Sequence, residues 1–357
     1  MTKQTKSKAF RYSIAGILLA LFAFWGWSMF ASPTQYLIET PTKLVPVSSL
    51  YRSKIQQSLA RVYVPVDQQI VTTKQSVVRR YQHQPATTIQ QSNTTEGVSA
   101  KKYRANLEGQ TKSVWSTAEI LALKLSSTPY SVENQGVDIS EIAAKQVTKQ
   151  IQPGDRLISL NGKPVTSAKQ FNQAEQSLKS ADPVKLTVQH GQKTVTETLK
   201  PLRREHQYYL GISAADNRVV TSAADFQRIK QSKIVGPSYS LMLFTQMYFD
   251  LTDTGKHLPT GTKISGTGQV TDNGRVLPVS GIEQKVYAAG TQGVTDFYVP
   301  NYPATDKIRS KIPGYRNNYT VVKETVEKYH LKMTVHPITS VYDIIGNVDE
   351  MGHHHQQ

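Results

Sequence analysis

Residues 241–251 read Leu241, Met242, Leu243, Phe244, Thr245, Gln246, Met247, Tyr248, Phe249, Asp250 and Leu251. A helix that is apolar almost all the way round has to lie inside a fold, with other layers covering it. Just ahead stands Gly236-Pro237-Ser238, a tight turn that delivers a serine to the mouth of that helix. Whatever fold the chain adopts must be built around this segment, and the serine goes where the helix begins.

The chain has 357 residues, room for two or three domains. It contains no cysteine, which excludes disulfides, thiolate catalysis and cysteine-based metal sites. The formal net charge of +16 is spread along the chain and suits anionic surroundings such as a membrane surface or wall polymers. No nucleic-acid module accompanies it, so a basic solvated surface is the plain reading.

Lys3, Lys6, Lys8 and Arg11 precede an uncharged run from Ser13 to Ala31 that is rich in Leu, Phe and Trp. That run approaches the ~20 residues that cross a bilayer. Positive charge in front of it predicts a cytoplasmic stub over 1–12, a transmembrane anchor over 13–32, and the remaining chain outside the cell membrane. The rival is a cleaved signal peptide, for which Met29-Phe30-Ala31-Ser32-Pro33 offers a poor cleavage pattern.

Residues 33–128 read as a connecting region of strands, a polar loop and a helix. Arg61 to Val66 alternates like a strand. Residues 68–112 are polar and weakly periodic. Ser116 with Glu119 three residues on predicts a capped helix over 116–125. Residues 129–203 change texture. Pro153-Gly154-Asp155 and Asn161-Gly162 make tight turns around Arg156 to Leu160, Ser167 to Leu178 is helical, and two strands flank His190-Gly191-Gln192. This order resembles a PDZ domain of the bacterial protease-associated type. The resemblance implies a groove that adds an extended peptide to a sheet edge. The loop at its mouth falls near Gln135, Gly136 and Val137. The bland alternative is a β-rich spacer without a ligand.

A seryl hydroxyl is a poor nucleophile until a base takes its proton. The histidines share no motif with Ser238, Gly-Pro-Ser-Tyr-Ser is not a Gly-x-Ser-x-Gly elbow, and no His-Glu-x-x-His zinc motif occurs. No metal or cofactor is therefore expected. Lysine is the other candidate base. On a wheel of Gly281 to Gly290, Ile282, Val286 and Ala289 form the buried stripe and Lys285 lies at its edge. Burial is what brings a lysine into the range of a useful base. A snorkelling lysine at a helix flank would look the same from the wheel alone.

Gly236-Pro237-Ser238, Ser265-Gly266-Thr267-Gly268, Asn273 to Val279 and Gly281 to Gly290 follow one another at spacings similar to those of the Lon-type protease domain. The likeness covers 204–346, and the tail 347–357 is read as disordered. With the anchor and the PDZ-like unit, the chain resembles the membrane-anchored PDZ–Lon-like serine proteases of Gram-positive bacteria. The fold class implied is multi-domain: a transmembrane helix, a PDZ-like β-rich domain and an α+β Lon-type proteolytic domain. The resemblance makes Ser238 the nucleophile and Lys285 the general base. It gives Thr267 the task of orienting the lysine amine, and makes backbone N–H groups beside Ser238 the oxyanion donors. Gly236, Pro237 and Tyr239 would border the substrate.

Two departures stand out. The family pattern Gly-Pro-Ser-Ala-Gly is Gly-Pro-Ser-Tyr-Ser here, and the usual Gly-Gly ahead of the lysine helix is Ser280-Gly281. No Gly-x-x-x-x-Gly-Lys-[Ser/Thr] loop occurs in these residues. The expectation is thus an ATP-independent serine endopeptidase acting on short or unfolded peptides, with self-association left open. The alternative is a non-catalytic, peptide-binding scaffold whose serine is covered by Tyr239.

Overall fold

A computed structural model describes residues 36–355, apart from 56–60, 92–99, 144–145, 147–149, 205–206, 230–233, 235, 253, 307 and 309–313. The stub and anchor expected over 1–32 lie outside the described residues. Among the described residues no helix is long and apolar enough to cross a membrane.

The chain divides into two units, residues 1–40 with 68–96 and residues 41–67 with 97–357. Strands β1 (Tyr36–Pro46) and β2 (Val62–Thr72), helix α1 (Gln75–Tyr81) and strand β3 (Thr88–Gln91) come first. In the smaller unit β1 pairs antiparallel with β3, from Tyr36 opposite Gln91 to Glu39 opposite Thr88. Gln69 donates to the Glu39 carboxylate at 2.8 Å.

The larger unit opens its helical part with α2 (Ala100–Leu125), a single 26-residue helix. The shorter helix expected from Ser116 is its C-terminal part. Ser116 is no cap, because its hydroxyl donates back to the Ser113 carbonyl within the helix at 3.0 Å. Then come β4 (Tyr130–Ile142), β5 (Arg156–Leu160), α3 (Ala168–Gln176), β6 (Val184–His190), β7 (Lys193–Leu199) and β8 (Ile212–Ser222). These five strands form an antiparallel sheet in the order β8-β4-β5-β6-β7. Its core holds Val137, Ile139, Leu157, Phe171, Leu186 and Val188. The Ser167 hydroxyl caps α3 by accepting from the Gln170 N–H, as the sequence suggests for a helix starting there. The sheet is completed by β8, so the domain extends past residue 203.

The remaining elements are α4 (Ser240–Thr252), β9 (Ile264–Gly266), β10 (Gln269–Val270), β11 (Val276–Leu277), α5 (Ile282–Gly290), β12 (Asp296–Pro300), α6 (Asn318–Lys328), β13 (Thr334–Ile338) and α7 (Val341–His355). Strands β13, β12, β9 and β2 lie side by side and run parallel. Residues 62–67, expected in a connector, therefore belong to a strand of this parallel sheet. Successive side chains of a strand point to opposite faces. On β12, Tyr298 joins the core around α4, while Phe297 and Val299 join the one around α5 and α6. The sheet is thus covered on both faces, an α/β layering within a domain expected to be α+β. Leu241, Met242, Leu243, Phe244 and Met247 on α4 are all 0% exposed, which is where an all-round apolar helix has to lie. Residues 347–355, expected to be disordered, continue α7. Val341, Ile344 and Val348 make one buried stripe on it, and Gly352 packs against His257.

Helix α2 touches both domains of the larger unit. Asn106 exchanges two hydrogen bonds with the backbone of Ile142 on β4, each 3.1 Å. One turn on, Gly109 lies so close to β4 that a Cβ there would stand 2.4 Å from the Ser140 carbonyl oxygen. Farther along, Trp115, Ala118, Leu121 and Ala122 pack into the core around α4.

Candidate active site

Gly236 enters the nucleophile turn with φ 94°, and its N–H is held by the Thr111 hydroxyl at 2.8 Å and the Leu107 carbonyl at 3.2 Å, both on α2. Pro237–Tyr239 form one short 3-10 turn that leads straight into α4. Ser238 is half-buried and its hydroxyl makes no hydrogen bond to another described residue. Its carbonyl is fixed twice, accepting from the Gly268 N–H at 3.0 Å and from the Thr267 hydroxyl at 3.1 Å.

Thr267 therefore differs from its expected task. Its own N–H bonds the Tyr298 carbonyl on β12 at 3.0 Å, which runs residues 267–268 alongside the serine turn. That places its hydroxyl over the backbone of Ser238 and not on the amine of Lys285. Lys285 is 5% exposed on the first turns of α5. Its Nζ donates to the Ser280 carbonyl oxygen at 2.6 Å. The structure brings Ser238 and Lys285 to the same domain without a hydrogen bond between them.

Tyr239 and Ser240, the two residues that follow Ser238, both have structural explanations. Tyr239 is 3% exposed and its ring enters the core among Leu50, Trp115, Arg228 and Ile234. Burial pushes its hydroxyl up to about 12, with the Arg228 charge pulling the other way. Tyr239 therefore does not border a substrate groove, and it does not cover the serine. A helix residue beside Ser238 points about 100° away from it, and here that direction is the core. Ser240 is fully buried, and its hydroxyl accepts from the Val270 N–H at 2.8 Å while donating to the Pro237 carbonyl at 2.9 Å. It ties the start of α4 to β10. Gly236 is buried and Pro237 half-buried next to the serine.

The expected peptide groove is also displaced. Gln135, Gly136 and Val137 are not in a loop. They belong to β4, where Val137 pairs with Asp216 on one side and Leu157 on the other. Gly136, at φ 109°, marks an irregularity between Asp216 and Arg218 in that pairing. Val137 is 0% exposed, a core residue. One edge of this sheet is β7, and the other is β8, paired with β4 alone among the described residues. Helix α3 is tethered beside it at both ends. The Ala168 N–H donates to Asp216 at 2.6 Å, and the Leu210 N–H donates to Glu175 at 2.7 Å. The sequence signal for this edge is Leu210-Gly211-Ile212, a glycine turn at φ 69° opening a strand.

An antiparallel sheet with one edge strand beside a helix is joined to an α/β body that sets a serine at the start of a buried helix. Residues 127–200 match the family model for the PDZ domain, and residues 233–346 match that for the Lon protease (S16) C-terminal proteolytic domain. The chain thus joins a PDZ domain to a Lon-type proteolytic domain. The Lon protease of Mycolicibacterium smegmatis is 30% identical over 124 residues, 33% of this chain and 13% of that protein. The Lon protease of Chloroflexus aggregans is 28% identical over 109 residues, 30% of this chain and 11% of that protein. The chain therefore spans only a small part of the length of these relatives. The crystal structure of the PDZ domain of the SdrC-like protein from Listeria monocytogenes is 22% identical, covers 24% of this chain and 92% of that one, and has a TM-score of 0.22.

Proposed function

We propose that the chain is an ATP-independent serine endopeptidase in which Ser238 attacks a peptide carbonyl and Lys285 takes its proton. The observation that carries this reading is the pairing of a half-buried, unengaged serine hydroxyl with a buried lysine on the next helix of the domain. The first N–H groups of a helix have no intrahelical acceptor, so those of Ser238 and Tyr239 serve as oxyanion donors. The amine leaves the Ser280 carbonyl to reach the hydroxyl. Attack gives a tetrahedral species, the lysine returns its proton to the leaving amine, and water releases the acyl group. The edge of β8 beside α3 receives an extended peptide by strand addition.

Acting without ATP, the proposed enzyme takes short or already extended chains as substrates. The uncharged run from Ser13 to Ala31 behind Lys3, Lys6, Lys8 and Arg11 anchors the protein in the cell membrane with its bulk outside. The burial of Tyr239 removes the basis for reading the protein as a scaffold with a covered serine. The test is cleavage of an unstructured peptide by the full chain in detergent, without ATP and with a chelator. Equal cleavage by wild type and Ser238→Ala would sink the proposal.

A further inference from the structure

Gly281 caps α5 with φ 67°, a left-handed conformation that brings its bare Cα toward strand β2. The point that a Cβ would occupy lies 2.9 Å from Asp67 Oδ2 and 3.2 Å from Lys285 Nζ. The carboxylate and the amine therefore face one another across the glycine, within about 6 Å but beyond ion-pair contact. An ammonium has three donors, and the Ser280 carbonyl takes only one of them. The carboxylate of Asp67, half-buried at the end of the β2 segment in this unit, makes no hydrogen bond or ion pair with another described residue. The acidic residue of the same helix is engaged elsewhere: Glu283 accepts from Lys328 at 2.9 Å and from the Tyr329 hydroxyl at 3.3 Å.

We propose that Asp67 is a positioning residue for Lys285. It holds the amine on the Gly281 side, and it stabilises the ammonium that forms when the serine proton arrives. This rests on the reading of Lys285 as the base. The two effects have opposite signs and so leave a distinctive trace. Removing the carboxylate releases the amine from that hold and opens it to a reagent, but it deprives the transferred proton of its counter-charge.

The side chain explains why a glycine stands at 281. Any side chain there would be strained at φ 67° and would lie between the two charged groups. The strand that carries Asp67 pairs with β9, the strand that leads into Thr267 and Gly268. The counter-charge and the stretch that grips the Ser238 carbonyl are thus carried on neighbouring strands.

The test uses the full chain in detergent as wild type, Asp67→Asn, Asp67→Ser and Asp67→Glu. Acetylation of Lys285 by acetic anhydride near pH 8 is read by mass spectrometry against the exposed Lys200 and Lys332. Asp67→Asn and Asp67→Ser raise the relative rate at Lys285 at least about threefold, and Asp67→Glu keeps it near wild type. In peptide cleavage, Asp67→Asn lowers kcat with KM unchanged. An unchanged Lys285 rate in both Asp67→Asn and Asp67→Ser overturns the inference, even if the wild type cleaves peptides. A raised rate in an enzyme that cleaves nothing leaves the inference standing and refutes the proteolytic reading instead.

Discussion

Lys285 Nζ reaches back to the Ser280 carbonyl oxygen at 2.6 Å, and so the amine stands bonded to its own helix entrance while the Ser238 hydroxyl stays unengaged. The expected consequence is an enzyme whose dyad closes when substrate arrives. Catalytic hydrogen bonds often tighten only in the complex with substrate. Lys285→Ala removes the base, and peptide turnover falls by about a hundredfold to ten-thousandfold, the usual range for general base catalysis. A peptide-cleavage assay alongside a thermal melt separates this from unfolding. Retention of a tenth or more of the wild-type kcat/KM would contradict the role.

Thr267 anchors the nucleophile's backbone and not the lysine. Thr267→Val keeps the shape and loses one of two donors to the Ser238 carbonyl. The cost is about 0.5–1.5 kcal/mol of stability, with a reduced kcat, and Thr267→Ser recovers both. Urea titration and initial rates on the three proteins check this.

Tyr239 belongs to the core. Tyr239→Phe leaves KM for peptide substrates within about twofold of wild type, because the ring is 3% exposed and turned from the groove. Tyr239→Ala costs about 3–5 kcal/mol through the cavity it opens among Leu50, Trp115 and Arg228. A large KM change in Tyr239→Phe without loss of stability would place the ring in the substrate path after all.

Glu119 gives stability a pH dependence. Burial on α2 pushes its carboxyl up to about 8 from the ordinary 4.5, a contact with Trp115 pulls it down, and the Asp225 charge adds to the rise. Between those two values the folded chain keeps a proton that the unfolded chain has released. Stability from this group is full below pH 4.5 and is lost as pH rises to about 8. Glu119→Gln carries no such proton. Its urea midpoint relative to wild type rises from pH 5 to pH 8.5, and a constant difference across that range would refute the argument.

Much of the site was legible because it depends on local chemistry. A turn ahead of an all-apolar run can only present Ser238 at the start of a buried helix, and the wheel of 281–290 puts Lys285 beside Ile282 and Ala289. The partners of those groups were not legible. The N-terminal part of α2 hid because its inward face carries the buried polar residues Asn106 and Thr111, so no apolar stripe marks it there. The destination of Tyr239 depends on Trp115 and Arg228, both of which precede it in the chain by more than ten positions. The PDZ edge was misplaced because Gly136 looks like a loop glycine, whereas it serves an irregularity within β4. The role of β2 was hidden because parallel pairing leaves no turn between partners: Tyr63 and Ser265, bonded at 2.9 Å, are 202 positions apart.

That separation sets an order of assembly during synthesis. The sheet of the proteolytic domain cannot form until β9 has left the ribosome, although β2 emerged long before. The intervening PDZ sheet, contiguous from β4 to β8, has its whole core available earlier and condenses first. Contacts between distant segments are slow to close, and a strand waiting unpaired is exposed to capture by other chains. A fragment beginning at residue 204 would lack β2, α2 and Asp67, so the proteolytic domain cannot be excised by a single cut.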